Sequence, residues 1–210
     1  LEGRNVRGLI FDYITDAAGD VVEDRTVSGL FGVEFNSGET MTVTATKQYE
    51  RLPLDFAIAP GVVVPAGGYR YDTLNASYNL AAKRIVSGNA SASYGSFYDG
   101  TRTTARYTGR IGASPHFAIE PSLTFNWVRL PYGDFNASLI GMRFLVSPTA
   151  RLGFSSLTQF NPSADTLSFS VRTRWEYSPG SDLYVVYSDG RNTAAVGIPS
   201  LQTRSFAIKA

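Results

Sequence analysis

Arginine is the residue type that offers this chain the most chemistry, because 16 of its 19 basic residues are arginines. A planar guanidinium with a fixed fork of donors recognises carboxylates, phosphates and hydroxylated solutes. Six residues stand out by spacing: Arg106 and Arg110, Glu120, and the set Arg172, Arg174 and Glu176. Even spacings in an extended chain put side chains on one face. On adjacent strands such residues would build a ladder, either lining a wet interior that favours small anionic or carbohydrate solutes or bracing a narrow closed one through ion pairs.

Other groups offer less. His116 is the only histidine and sits in Ser114-Pro115-His116, so a serine-histidine or histidine-metal site would have to be built around a turn residue. Asp20, Glu23 and Asp24 bring carboxylates together, but at no calcium-loop spacing, and read as a solvated loop. The glycines from Gly61 to Gly68 do not open a helix after a strand and form no phosphate cradle; they read as an irregular loop that can fold over or into a barrel mouth. The absence of cysteine removes thiol nucleophiles and thiolate metal sites. No catalytic residue, metal or cofactor is expected, and an enzyme is not the reading. Nineteen basic residues are offset by 18 acidic ones, leaving a net charge of +1 and no broad basic field for nucleic acid.

The elements that must position the arginines have a period of two. Phe117, Ile119, Pro121, Leu123, Phe125 and Trp127 interleave with Ala118, Glu120, Ser122, Thr124 and Asn126. Leu167, Phe169, Val171, Thr173, Trp175 and Tyr177 alternate with Thr166, Ser168, Ser170, Arg172, Arg174 and Glu176. Each is a strand with one apolar and one polar face. Ala105 to Ala113 and Val27 to Asn36 repeat the pattern, and no segment fits a helical template as well.

Turn residues separate these strands. Short turns are read at Asn36-Ser37-Gly38, Lys83-Arg84, Ser114-Pro115-His116, Ser147-Pro148-Thr149 and Ser178-Pro179-Gly180, the last four recurring about every 32 residues, the length of two strands and two connections. Between them lie Asp99-Gly100, Pro131 to Asp134, Asn161 to Asp165, the stretch Ser188 to Ser200, and a loop from about Pro53 to Gly68. With a turn near Asp16 to Asp20, about 12 strands result, in an antiparallel up-and-down meander forming one domain over residues 1–210.

Two architectures use such strands. In a soluble β-sandwich the apolar row faces a second sheet and the module would bind or adhere; in a transmembrane β-barrel it faces lipid and the polar row lines the interior. Strands of about 10 to 14 residues exceed the usual 5 to 6 and approach the roughly 9 to 11 that cross a bilayer at a tilt. Aromatics near strand ends, such as Trp127, Tyr132, Trp175 and Tyr184, suit the headgroup region. Charges in mid-strand suit a wet lumen. No run approaches the roughly 18 to 20 apolar residues of a membrane helix, so any span is made of strands. The expectation is an integral β-barrel of the bacterial outer membrane, in contact with the lipid bilayer, serving passive transport or anchorage.

The stretch Arg174-Trp175-Glu176-Tyr177-Ser178-Pro179-Gly180-Ser181-Asp182-Leu183-Tyr184, continuing to Arg191 and backed by Phe144 to Phe160 and the Ser168 to Trp175 run, resembles the carboxy-terminal strands of the DUF5916 family. That resemblance covers roughly the last 70 to 100 residues. It implies a large outer-membrane barrel, usually preceded by a carbohydrate-binding family 9-like domain, with this chain as its carboxy-terminal part. The opening at Leu1 rather than Met fits an excised or mature piece. The ending at Lys209-Ala210 departs from the terminal aromatic residue usual in such barrels and suggests a true terminus further on.

Overall fold

The computed structural model describes residues 3–15, 22–195 and 199–210. Among them the regular structure is entirely strand: β1 (Gly3–Thr15), β2 (Val22–Phe35), β3 (Thr40–Leu52), β4 (Phe56–Ala59), β5 (Val62–Val64), β6 (Gly67–Leu80), β7 (Val86–Phe97), β8 (Gly100–Ser114), β9 (Phe117–Leu130), β10 (Gly133–Thr149), β11 (Leu152–Asn161), β12 (Thr166–Ser178), β13 (Ser181–Asn192) and β14 (Ser200–Lys209). Twelve form one sheet in the order β1-β2-β3-β6-β7-β8-β9-β10-β11-β12-β13-β14. The fold is thus an all-β antiparallel meander, and β1 and β14 each have a single neighbour in it.

Residues 53–66, expected as an irregular loop, instead contain β4 and β5, a two-stranded sheet of their own. The apolar runs Phe56 to Ala59 and Val62 to Val64 favour extended backbone, and Gly61 supplies the positive φ (77°) that the reversal between them needs. The turn expected at Ser147-Pro148-Thr149 lies one step later: β10 runs through Thr149 and the chain reverses at residues 150–151. A register shift between Val146 and Thr149 accommodates Pro148, which has no N–H to give to a ladder. The connection read from Ser188 to Ser200 is shorter, because β13 continues to Asn192 with Asp189 opposite Phe169 and Arg204. At the Asp99-Gly100 reversal, Tyr98 and Asp99 both take positive φ (44° and 64°), the backbone of a tight hairpin turn. The turn expected near Asp16 to Asp20 lies outside the described residues.

Contacts divide the chain into two compact units, with β7 to β10 contributing to both. The first comprises Leu1–Ala81, Asn89–Arg106 and Phe125–Asn136. Its core is a cluster in which Val62 and Val64 of β5 pack with Tyr69, Tyr71, Tyr98, Val128 and Leu130. Tyr98 anchors it, its ring meeting those of Tyr69, Tyr71 and Phe97 at centroid distances of 5.0, 5.4 and 4.6 Å in edge-on geometry. The second unit comprises Ala82–Gly88, Tyr107–Thr124 and Ala137–Ala210. Among its described residues Ala118 is the only fully buried hydrophobic one.

Candidate functional site: a charged face of the sheet

In the second unit the site is built from side-chain contacts between neighbouring strands. Arg110 on β8 reaches Glu120 on β9 at 3.1 Å, and Arg143 on β10 approaches the other oxygen of the same carboxylate at 3.7 Å. These pairs fix one face. The register carries it onward, since Arg143 lies opposite Leu157 of β11 and Leu157 opposite Ser170 of β12. Ser170, Arg172, Arg174 and Glu176 alternate along one edge of that strand and therefore share the face. There Arg174 donates from Nε to Asp182 at 3.0 Å and stands 3.9 Å from Glu176, while Arg172 lies 4.8 Å above the Tyr184 ring.

Five of the six residues singled out by spacing thus occupy one face of the second unit: Arg110, Glu120, Arg174 and Glu176 in two ion-paired groups, and Arg172 over the Tyr184 ring. Arg106 belongs to the first unit; it shares the even row of β8 with Arg110 and makes no ion pair or side-chain hydrogen bond among the described residues. The arginines of the pairs are half-exposed, and pairs of that kind contribute about 0.2 to 1 kcal/mol each. They order the side chains on the face more than they hold the sheet together.

On the first unit's polar row, which also carries Arg102 and Arg106, the side-chain hydrogen bonds join neutral and acidic groups. Glu50 accepts hydrogen bonds from Tyr71 at 2.8 Å and Tyr98 at 3.2 Å, Gln48 donates to Asp24 at 3.0 Å, and Thr104 donates to Asn126 at 2.8 Å. The β4-β5 hairpin packs on this same side, because Tyr69, Tyr71, Val128 and Leu130 share the rows that carry Asn75, Asn79 and Asn126. Its base is tied by Asp55, which accepts from the Ala66 N–H at 2.8 Å, and by Tyr69, whose hydroxyl donates to the Pro65 carbonyl at 2.7 Å. Burial pushes the Tyr98 phenol up from its ordinary value. In the adjoining turn Tyr132 donates to Asp99 at 2.9 Å, and that bond raises its phenol to about 12.

The opposite row is apolar and uncovered. In the first unit Phe31, Met41, Leu74, Tyr94 and Trp127 are exposed, and in the second Phe144, Phe154, Phe169, Trp175, Phe206 and Ile208. Leu74 keeps 55% of its surface, Trp175 50% and Phe206 64%.

Several residues of the charged face escape a reading by spacing. Arg143 stands in a row of Phe135, Ala137, Leu139 and Gly141 that has no polar signature, and Asp182 reads as part of a turn. Arg102, 4.3 Å above the Phe97 ring, was findable by extending the even row of β8 back from Thr104. His116 is an exposed turn residue whose Nδ1 lies 2.8 Å from the Ser147 carbonyl. Asp24 is engaged by Gln48 and Thr26, whereas Asp20 and the Glu23 side chain lie outside the described residues. Among the described residues no group of acidic side chains and histidine is arranged to hold a metal. No protein-family model, curated protein or solved structure matches the chain.

Proposed function

We propose that this chain forms wall of an integral β-barrel of the bacterial outer membrane, its apolar row against lipid and its polar row toward the interior. One observation carries the reading: the apolar row is exposed, while the hairpin and the aromatic core cluster pack on the polar-row side. A soluble sandwich would bury the apolar row under a second sheet. Exposed rings along strands of 10 to 17 residues are what a bilayer accepts and water does not. Passive transport of small anionic or carbohydrate solutes is the task that the arginines of the polar row favour. A second reading, a membrane anchor for a binding module in the DUF5916 manner, draws support from the hairpin that fills part of the polar side in the first unit.

The test is whether the purified chain folds only in detergent or lipid. A heat-modifiable band in gels and β-type circular dichroism that both require micelles are expected; a monodisperse β-protein in plain buffer would discard the membrane reading for a soluble binding or adhesion module.

A further inference from the structure

The apolar row is not uniform along the strands. In the first unit its basic residues are Arg25 on β2, Lys47 and Arg51 on β3, Arg70 on β6 and Arg129 on β9, with Arg7 standing apart in the middle of β1 opposite Phe31. These five are all exposed and lie toward one end of their strands, the end leading into residues 16–21, 53–66 and 131–132. Arg25, Tyr49 and Arg70 stand side by side in register across three strands. The other end of the same row carries Phe35, Met41, Tyr78 and Leu80. Among the described residues Lys47 is paired with Asp72 at 3.2 Å, and the guanidinium groups of the other four have no ion-pair or side-chain hydrogen-bond partner there.

The second unit repeats the arrangement in a better-ordered form. Asp189 on β13, with its side chain only 4% exposed, lies on the apolar row opposite Phe169. It accepts from Arg191 at 2.6 Å, from Arg204 on β14 at 2.9 Å and from the Tyr187 hydroxyl at 3.0 Å. Two guanidinium groups share one carboxylate, which leaves one positive charge in excess on side chains whose donors are held in place. Arg191 and Arg204 keep 36% and 52% of their side-chain surface, and both stand where β13 and β14 meet residues 193–199. Further along the same face lie Trp175, Leu183 and Ile208.

We infer that in each unit these cations form a lipid-headgroup site of their own: basic side chains on the lipid-facing row that bind the phosphates of an anionic lipid in the leaflet at that end of the strands. The inference rests on the membrane reading above. The charge complementarity is direct, since guanidinium and ammonium donors at the border of an apolar surface meet phosphates where acyl chains meet headgroups. Attraction of basic side chains to an anionic surface acts residue by residue and weakens with salt. The end in question carries the longer connections, which outer-membrane barrels place outside the cell. The occupant is therefore a phosphate-bearing lipid of the outer leaflet, and Asp189 serves to hold Arg191 and Arg204 ready for it.

The two tryptophans provide the test. Trp127 is two residues from Arg129, on the same row and near the basic end, whereas Trp175 lies toward the other end. Single-tryptophan proteins, Trp175→Phe and Trp127→Phe, are folded in detergent and reconstituted into phosphatidylcholine bilayers containing diphosphorylated lipid A with an energy-acceptor label. Labelled phosphatidylcholine serves as the control. Trp127 should be quenched by the anionic lipid at least about twofold more than Trp175 after normalisation to the control, and the excess should shrink in high salt and in the Arg70→Gln/Arg129→Gln variant. Equal quenching of both tryptophans by lipid A and by the control, in a protein that has inserted, overturns the headgroup sites and leaves the barrel reading standing. A protein that inserts into neither bilayer, so that even the control lipid quenches neither ring, overturns both.

Discussion

The two units occupy the polar side of the sheet in opposite ways. The first closes it with apolar matter: a hairpin inserts Val62 and Val64 among Tyr69, Tyr71, Tyr98, Val128 and Leu130, and Glu50 takes the phenol hydrogens. The second braces it with charge, through Arg110, Glu120 and Arg143 and through Arg174, Glu176 and Asp182, and among its described residues buries almost no hydrophobic side chain. One alternating pattern therefore supports two kinds of interior. Among its described residues the second unit buries little apolar surface, and on the proposed membrane reading lipid covers its exposed apolar row. That is the physical content of the membrane reading.

The sharpest way to break the contrast is to charge the packed side. Val64 is fully buried in an aromatic and aliphatic cluster, so Val64→Asp should cost about 3 to 5 kcal/mol or expel the hairpin. Urea unfolding in detergent micelles reads the first outcome and faster proteolysis between residues 53 and 66 the second; an unchanged midpoint and cleavage rate would mean the hairpin is not docked.

Tyr98 comes next. Tyr98→Ala removes three edge-on ring contacts and a donor to Glu50 while keeping the left-handed backbone, and should cost about 3 kcal/mol. Tyr98→Gly loses the same contacts but relieves the backbone, and should be the more stable of the two by about 1 kcal/mol. Equal stabilities in the same unfolding assay would show that the turn carries no strain.

In the second unit a comparable change should do little. Glu120→Gln releases two half-exposed arginines, Arg110 and Arg143, from a partly buried carboxylate and should shift stability by about 1 kcal/mol or less. Its effect belongs in ion selectivity: if the polar row lines a passage, the reversal potential across a planar bilayer should move toward anions. A loss of stability as large as that of Val64→Asp would erase the distinction between the units.

How much of this was legible in the sequence follows the same division. In the second unit β12 was readable because it alternates almost without interruption, so Arg172, Arg174 and Glu176 declare their face by parity alone. The first unit's core was not, because its aromatic members come from turns and strand ends and are brought together by a hairpin whose strands of four and three residues are too short to show a period. Asp189 was hidden for another reason. Ser188-Asp189-Gly190 has the composition of a loop, and only pairing with β12 and β14 holds it in a strand. Arg143 shows the converse, a charged residue concealed in an apolar row whose partner, Glu120, lies on the neighbouring strand.

The smallest effect is confined to the turns of the first unit and tests how firmly its packed end is held. Tyr132 and Asp99 join the β9-β10 turn to the β7-β8 turn, and the carboxylate that accepts the phenol hydrogen raises the Tyr132 value to about 12. A phenol raised on folding favours the folded arrangement below its ordinary value near 10, and that contribution is lost as pH rises through about 12. Ring-labelled tyrosine spectra, with Tyr132→Phe to identify the resonance, should therefore show Tyr132 titrating near 12 in the folded protein. Asp99→Asn removes the largest cause and should bring the midpoint down toward the ordinary range. Tyr132 packs against the cluster around Val64, and Tyr132→Phe keeps that ring while Asp99→Asn changes only the exposed acceptor, so both should leave the cluster in place. A Tyr132 that titrates at its ordinary value in the unaltered protein would mean that the two turns move independently and that the hairpin and Tyr98 alone hold this end of the unit.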